Sequence, residues 1–99
     1  MPTDRFIRDK AAIRAELERR ARARRVITYG EVAVLVGRSA AALMPVLAAI
    51  RAEDARRGRP DLTCLVVSVR TGLPRGMDRD RAVVEQEGVF AAYTIVLTG

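Results

Sequence analysis

Apolar residues first recur at helical spacing: Phe6, Ile13, Leu17 and Ala21 share one face of a 3.6-residue helix. Thr3 or Asp4 stands ahead of them as a helix cap. The opposite face is arginine and glutamate, with Glu16 four before Arg20 and Glu18 four before Arg22, the favourable order for helix pairs. The arginine-rich run 19–25 closes this helix. It has two readings. Cations there complement the negative end of the helix dipole, or they form a phosphate-contacting patch.

Val26 and Ile27 read as a short extended piece. Thr28 then has the form of an N-cap, with Glu31 three residues on as its capping-box partner. Tyr29, Val32, Ala33 and Val36 line one face of a second, short helix, and Gly37 stops it. Ser39 caps a third helix whose apolar stripe is Leu43, Val46, Leu47 and Ile50. Its other face is Ala40, Ala41, Ala42 and Ala48. Pro45 predicts that this helix begins near Met44 or bends there, because proline removes a hydrogen bond and clashes with the preceding turn.

Residues 56–60 read as a loop. Residues 62–69 are rich in β-branched side chains and predict a strand, with Leu65, Val67 and Val69 on one face. Residues 70–76 read as a glycine-containing turn. Over 79–97 a helix beginning at Asp78 or Asp80 is favoured, with Ala82, Val89, Tyr93 and Val96 as its stripe; a strand over 89–97 is the alternative. The expected fold is therefore α+β and mainly helical. Three N-terminal helices, a small β wing and a C-terminal helix are the layout of one winged helix-turn-helix domain over 1–99.

Composition narrows the chemistry. The 99 residues include no histidine and no tryptophan, and Cys64 is the one cysteine. The commonest acid–base catalyst and zinc ligand is thus missing, and no internal disulfide can form. Ser39 and Ser68 have no histidine to pair with. Asp78, Asp80, Glu85 and Glu87 cluster, but an ordinary solvated helix start accounts for them, so neither metal nor cofactor is expected. Four aromatics are too few for a stacking platform for single strands. No apolar run approaches the ~20 residues of a membrane span, and the N-terminus lacks a signal-peptide layout. A cytoplasmic protein without a membrane partner is expected.

Net charge is +6, and seventeen of the eighteen cations are arginine. Arginine forks onto phosphate as lysine does not, which suits nucleic acid; a GC-rich coding sequence gives the same bias. Residues 1–25 hold nine cations against four acids, and residues 51–60 hold four against two. The basic footprint is these two stretches.

The residues Ile27, Thr28, Tyr29, Gly30, Glu31, Val32 and Ala33, then Gly37, then Ala40, Ala41 and Ala42, resemble the helix-turn-helix of the alkylguanine-DNA alkyltransferases and alkyltransferase-like proteins. The resemblance covers roughly 26–76. It implies a recognition helix laid into the minor groove of duplex DNA, where small side chains permit close approach, and a tyrosine at Tyr29 that helps to rotate the target nucleotide. It departs from the family where the reaction lies. The acceptor motif Pro-Cys-His-Arg-Val is here Thr63, Cys64, Leu65, Val66, Val67, and Leu43 stands near the position of the arginine that replaces the rotated base. A thiolate needs a nearby base or cation, so Cys64 is expected to be a packing residue. Residues 58–62, 65–67 and 71–74 are also similar to a pattern in small bacterial winged-helix proteins of unassigned function.

These readings predict a non-catalytic protein that binds double-stranded DNA. The candidate contacts are Arg22, Arg24, Arg25, Tyr29, Arg38, Ser39, Ala40, Ala41, Arg70 and Arg75. The alternative is a protein–protein interaction module on the same fold, an adaptor or a homodimerising domain.

Overall fold

A computed structural model describes residues 2–94. Helix α1, Asp4–Arg22, begins where the Thr3 side chain accepts from the Phe6 N–H. Strand β1 is Ile27–Thr28, and helix α2 is Tyr29–Val36. Thr28 serves both elements. Its hydroxyl accepts from the Glu31 N–H, and the Glu31 carboxylate accepts from the Thr28 N–H. That reciprocal capping fixes where the chain turns from extended to helical. Gly37 then ends α2 in the left-handed region, at φ 65°. After a three-residue turn, helix α3, Ala40–Arg56, starts from Ser39, whose hydroxyl accepts from the Ala42 N–H. The axes of α2 and α3 differ by 94°. Helix α4 is Arg79–Thr94, and the Asp78 carboxylate accepts from the Arg81 N–H at its start.

The sheet is one parallel pair. Ile27 lies opposite Val66, and Thr28 opposite Val67, in strand β2, Val66–Val67. The core is the buried face of every helix: Ile13 and Leu17 from α1, Val32 from α2, Leu43, Val46 and Ile50 from α3, and Val89 from α4. These meet Leu62, Leu65 and Val66. Each such side chain contributes about 1.5–3 kcal/mol of burial. The fold is thus α+β and mainly helical.

Four expectations need correction. The strand over 62–69 is a short 3-10 helix, Leu62–Leu65, followed by two strand residues. The Asp61 carboxylate accepts from the Thr63 N–H at 2.9 Å and from the Thr63 hydroxyl at 2.6 Å, which coils the chain. Residues 62–67 are buried throughout, so their β-branched character reports burial and not strand length. Among the described residues there is, accordingly, no antiparallel wing. Residues 68–78 form a loop in which the Ser68 N–H donates to the Leu73 carbonyl and the Gly72 N–H to the Ser68 carbonyl.

The other corrections concern helix ends. Helix α3 begins at Ala40 and runs through Pro45, so it does not start near Met44. The N–H that proline lacks would have served the Ala41 carbonyl, and both residues are exposed, so water can serve it instead. Helix α1 stops at Arg22, so Arg24 and Arg25 lie beyond it. Arg24 takes the left-handed conformation, φ 56°, at the position helices usually give to glycine. The C-terminal segment is helical as favoured, not a strand, through Thr94; residues 95–97 of that expectation lie outside the described residues.

Candidate nucleic-acid interface

The capping box and the turn at Gly37 place the starts of α2 and α3 side by side. There they face the 68–78 loop across an open, largely apolar depression of about 980 Å³. Tyr29 enters it from α2, Ala40, Ala41 and Met44 from α3, and Leu73, Pro74, Arg75 and Met77 from the loop. The Tyr29 hydroxyl accepts from the Arg75 N–H at 3.2 Å, which ties the loop to α2. The Arg75 guanidinium lies 3.6 Å from the Met44 sulfur. Gly72 and Gly76, at φ 70° and 75°, supply the left-handed turns that fold Leu73 and Pro74 back toward α3.

Four of the sequence candidates therefore meet: Tyr29, Ala40, Ala41 and Arg75. Ser39 sits exposed beside them as the α3 cap. Arg70 is exposed on the loop, and its N–H donates to the Ser68 hydroxyl. The others do not join this site. Arg24 and Arg25 line a separate polar depression of about 800 Å³ with Arg19, Arg20, Glu31 and Phe90. Arg22 and Arg25 are exposed, and among the described residues neither side chain has a partner.

Two candidates are engaged within the fold. Arg38 is 15% exposed; its Nε donates to Asp9 at 2.7 Å and its guanidinium lies over Phe6. That hydrogen bond holds the Asp9 carboxyl below the usual carboxylate range, despite burial. Arg38 is thus a pin between α1 and α3. Arg24 bonds Glu87 at 2.6 Å and stacks on Phe90, joining the end of α1 to α4.

The sequence did not single out Met44, Leu73, Pro74 or Met77 as lining. The only signal for the loop wall was its pair of glycines around Leu73 and Pro74.

Cys64 is 1% exposed in the 3-10 helix, and burial together with the Asp61 and Glu85 charges pushes its thiol up to about 12. Its apolar neighbours and two nearby carboxylates oppose a thiolate. Among the described residues no group of three or more carboxylate or cysteine side chains is placed to hold a metal ion. No single helix among them is long and apolar enough to cross a membrane. Comparison with protein-family models, curated proteins and solved structures found no match.

Proposed function

We propose that this chain binds duplex DNA as a winged helix-turn-helix domain and catalyses no reaction on it. The observation that carries the reading is the convergence of Tyr29, Ala40, Ala41 and Arg75 at the exposed start of α3. Two helices at 94° joined by a three-residue turn containing glycine match helix-turn-helix geometry. The 68–78 loop, which is not a β-ribbon, would stand in for the wing in this reading.

The exposed face of α3 favours the minor groove. A major-groove reader needs Arg, Asn or Gln at base edges, whereas Ala40, Ala41 and Ala42 present only methyl groups. Small side chains let the helix backbone come close to a groove floor. The resemblance to the alkyltransferases points the same way, with the depression beside Tyr29 available to a rotated base. The environment of Cys64 supports a binding role and not alkyl transfer.

The test is titration of a labelled duplex with wild type and Ala41→Leu at two salt concentrations. Ala41 is exposed, so the substitution should leave stability within about 0.5 kcal/mol. Wild-type binding should weaken steeply with salt, and Ala41→Leu should lose at least roughly tenfold in affinity, about 1.4 kcal/mol. Normal binding by a folded Ala41→Leu protein would remove α3 from the interface. Binding that ignores salt would remove the DNA reading.

A second reading has its own observation. Val34 is 82% exposed, and with the exposed Leu35 it lines a depression that also includes the Arg20 side chain. That exposed apolar pair suits a protein partner. It would be favoured if Val34→Ser abolished self-association or partner capture while duplex binding stayed unchanged.

A further inference from the structure

A further depression, of about 320 Å³, lies between α3, the 68–78 loop and α4. Its charged lining is Arg51, Arg75, Arg81, Asp61 and Glu85. Arg75, Gly76 and Met77 line both this depression and the apolar one, so the two adjoin across the loop. Three arginines and two acidic residues line it, a surplus of one positive charge, with the Arg75 head group at the boundary with the apolar depression.

Each guanidinium is steadied within the fold and left with donors to give. Arg51 Nε bonds Asp61 at 3.0 Å and its Nη2 donates to the Thr63 hydroxyl at 3.4 Å. Arg81 Nε lies 3.7 Å from Glu85. Arg75 Nη1 rests on the Met44 sulfur. A guanidinium carries five N–H donors, so these contacts orient the forks without saturating them. The Arg51 and Arg81 side chains are both 64% exposed, and exposed pairs of this kind hold by less than about 1 kcal/mol. Exchanging a carboxylate oxygen for a phosphate oxygen therefore costs little, and bidentate forks suit phosphate.

We propose that Arg51, Arg75 and Arg81 seat one backbone phosphate of a duplex whose groove is occupied by the start of α3. The proposal rests on the DNA-binding reading and extends the interface beyond α3. One seat neutralises one phosphate, and that sets the expected magnitude.

The experiment measures duplex affinity by fluorescence anisotropy across a salt series of about 50 to 200 mM. It compares wild type, Arg81→Gln, and Arg51→Gln with Arg81→Gln. Arg75 stays native because it also lines the apolar depression. The double variant should bind all duplex sequences more weakly, and its slope of log affinity against log salt should be shallower by about 0.9. Arg81→Gln alone should change the slope in the same direction by less. It removes one exposed helix pair, so it remains a test should the double variant melt early. Duplex binding with unchanged slopes in both variants would overturn the seat and leave the DNA reading standing. No duplex binding by wild type would overturn both. A parallel titration with inorganic phosphate follows the arginine Nε–H signals by NMR; shifts there without duplex binding would make a free phosphate the occupant and overturn the duplex assignment.

Discussion

Asp54 is fully buried in the last turn of α3, and it ties three elements together. One carboxylate oxygen accepts from Arg14 of α1 at 2.9 Å, the other from the Leu62 N–H at 3.0 Å. Replacing Asp54 by alanine would leave a mostly buried guanidinium with Glu53 as its one remaining carboxylate partner, and a buried N–H without an acceptor. Two hydrogen bonds to a charged group are worth about 1.5–3 kcal/mol each, and breaking a buried ion pair by removing one member costs about 3–5 kcal/mol. The expected loss for Asp54→Ala is therefore about 3–5 kcal/mol, a large part of the 5–15 kcal/mol typical of a domain. At about 4–8 °C per kcal/mol, the melting temperature should fall by more than about 12 °C. The assay is urea unfolding followed by far-UV circular dichroism, since the chain has no tryptophan. Asp54→Asn keeps the shape and loses the charge, so it should fall between wild type and alanine. Arg14→Met with Asp54→Leu should recover part of the loss, because apolar replacement of both partners removes the stranded charge; the Leu62 N–H would still lack its acceptor. An Asp54→Ala protein within about 1 kcal/mol of wild type, at unchanged m-value, would refute the assignment of this carboxylate as the joint between α1, α3 and the 3-10 helix.

Two further outcomes are expected. At Arg24 the left-handed backbone costs a non-glycine residue about 1–2 kcal/mol, while the Glu87 pair and the Phe90 contact return a comparable amount. Arg24→Gly should then be more stable than Arg24→Ala in urea unfolding, and the reverse order would contradict a left-handed backbone cost at this position. Stability should also depend on acid in a stated direction. The Arg38 hydrogen bond lowers Asp9, the Arg19 and Arg20 bonds lower Glu16, the Thr28 N–H lowers Glu31, and Lys10 lowers Glu53. Depressed carboxylates stabilise the fold fully above their unfolded values, 3.8 for Asp and 4.5 for Glu, and lose that contribution as pH falls through the lower folded values. Melting temperature should be level from neutral pH to about 5 and drop steadily below about 4; a drop beginning above pH 6 would contradict these partners.

What could be read from the sequence was what is decided within a few residues. Thr3, the Thr28–Glu31 pair, Gly37 and Ser39 each cap or end a helix through contacts three or four positions away, so their signals are local. Of the four residues that meet at the depression, Tyr29, Ala40 and Ala41 were legible for the same reason, whereas Arg75 arrives through a contact 46 residues away. The 3-10 helix was not. Its residues are apolar because the core surrounds them, and composition cannot separate a buried coil from a buried strand. Arg38 and Arg24 looked like free cations because their partners are remote, Asp9 at a separation of 29 residues and Glu87 at 63. The Arg14–Asp54 joint spans 40 residues, and no local pattern announces it.

The arginine bias itself divides into two kinds of residue. Arg14 reaches Asp54, Glu53 and the Ile50 carbonyl at once, and Arg20 reaches Glu16, Glu31 and the Val26 carbonyl. A lysine ammonium at either place could not hold acceptors in a planar fork. Lys10, by contrast, meets Glu53 alone. At Arg14 and Arg20 the preference for arginine over lysine is thus accounted for inside the fold, and there it says nothing about nucleic acid. The part of the charge that can act outward is the remainder: Arg8 and Arg22 on α1, Arg25 after it, Arg56, Arg57 and Arg59 at the end of α3, Arg70 and Arg75 on the loop, and Arg79 at the start of α4, all exposed. Electrostatic attraction of a polyanion depends on this exposed surplus and falls with salt. The stretch 1–25 therefore contributes less to such a field than its composition suggests, 51–60 keeps three exposed arginines while Glu53 and Asp54 are paired with Lys10 and Arg14, and the 68–78 loop adds Arg70 and Arg75. Its two arginines flank the apolar depression or lie close to it in the chain, so attraction and shape act at the same place.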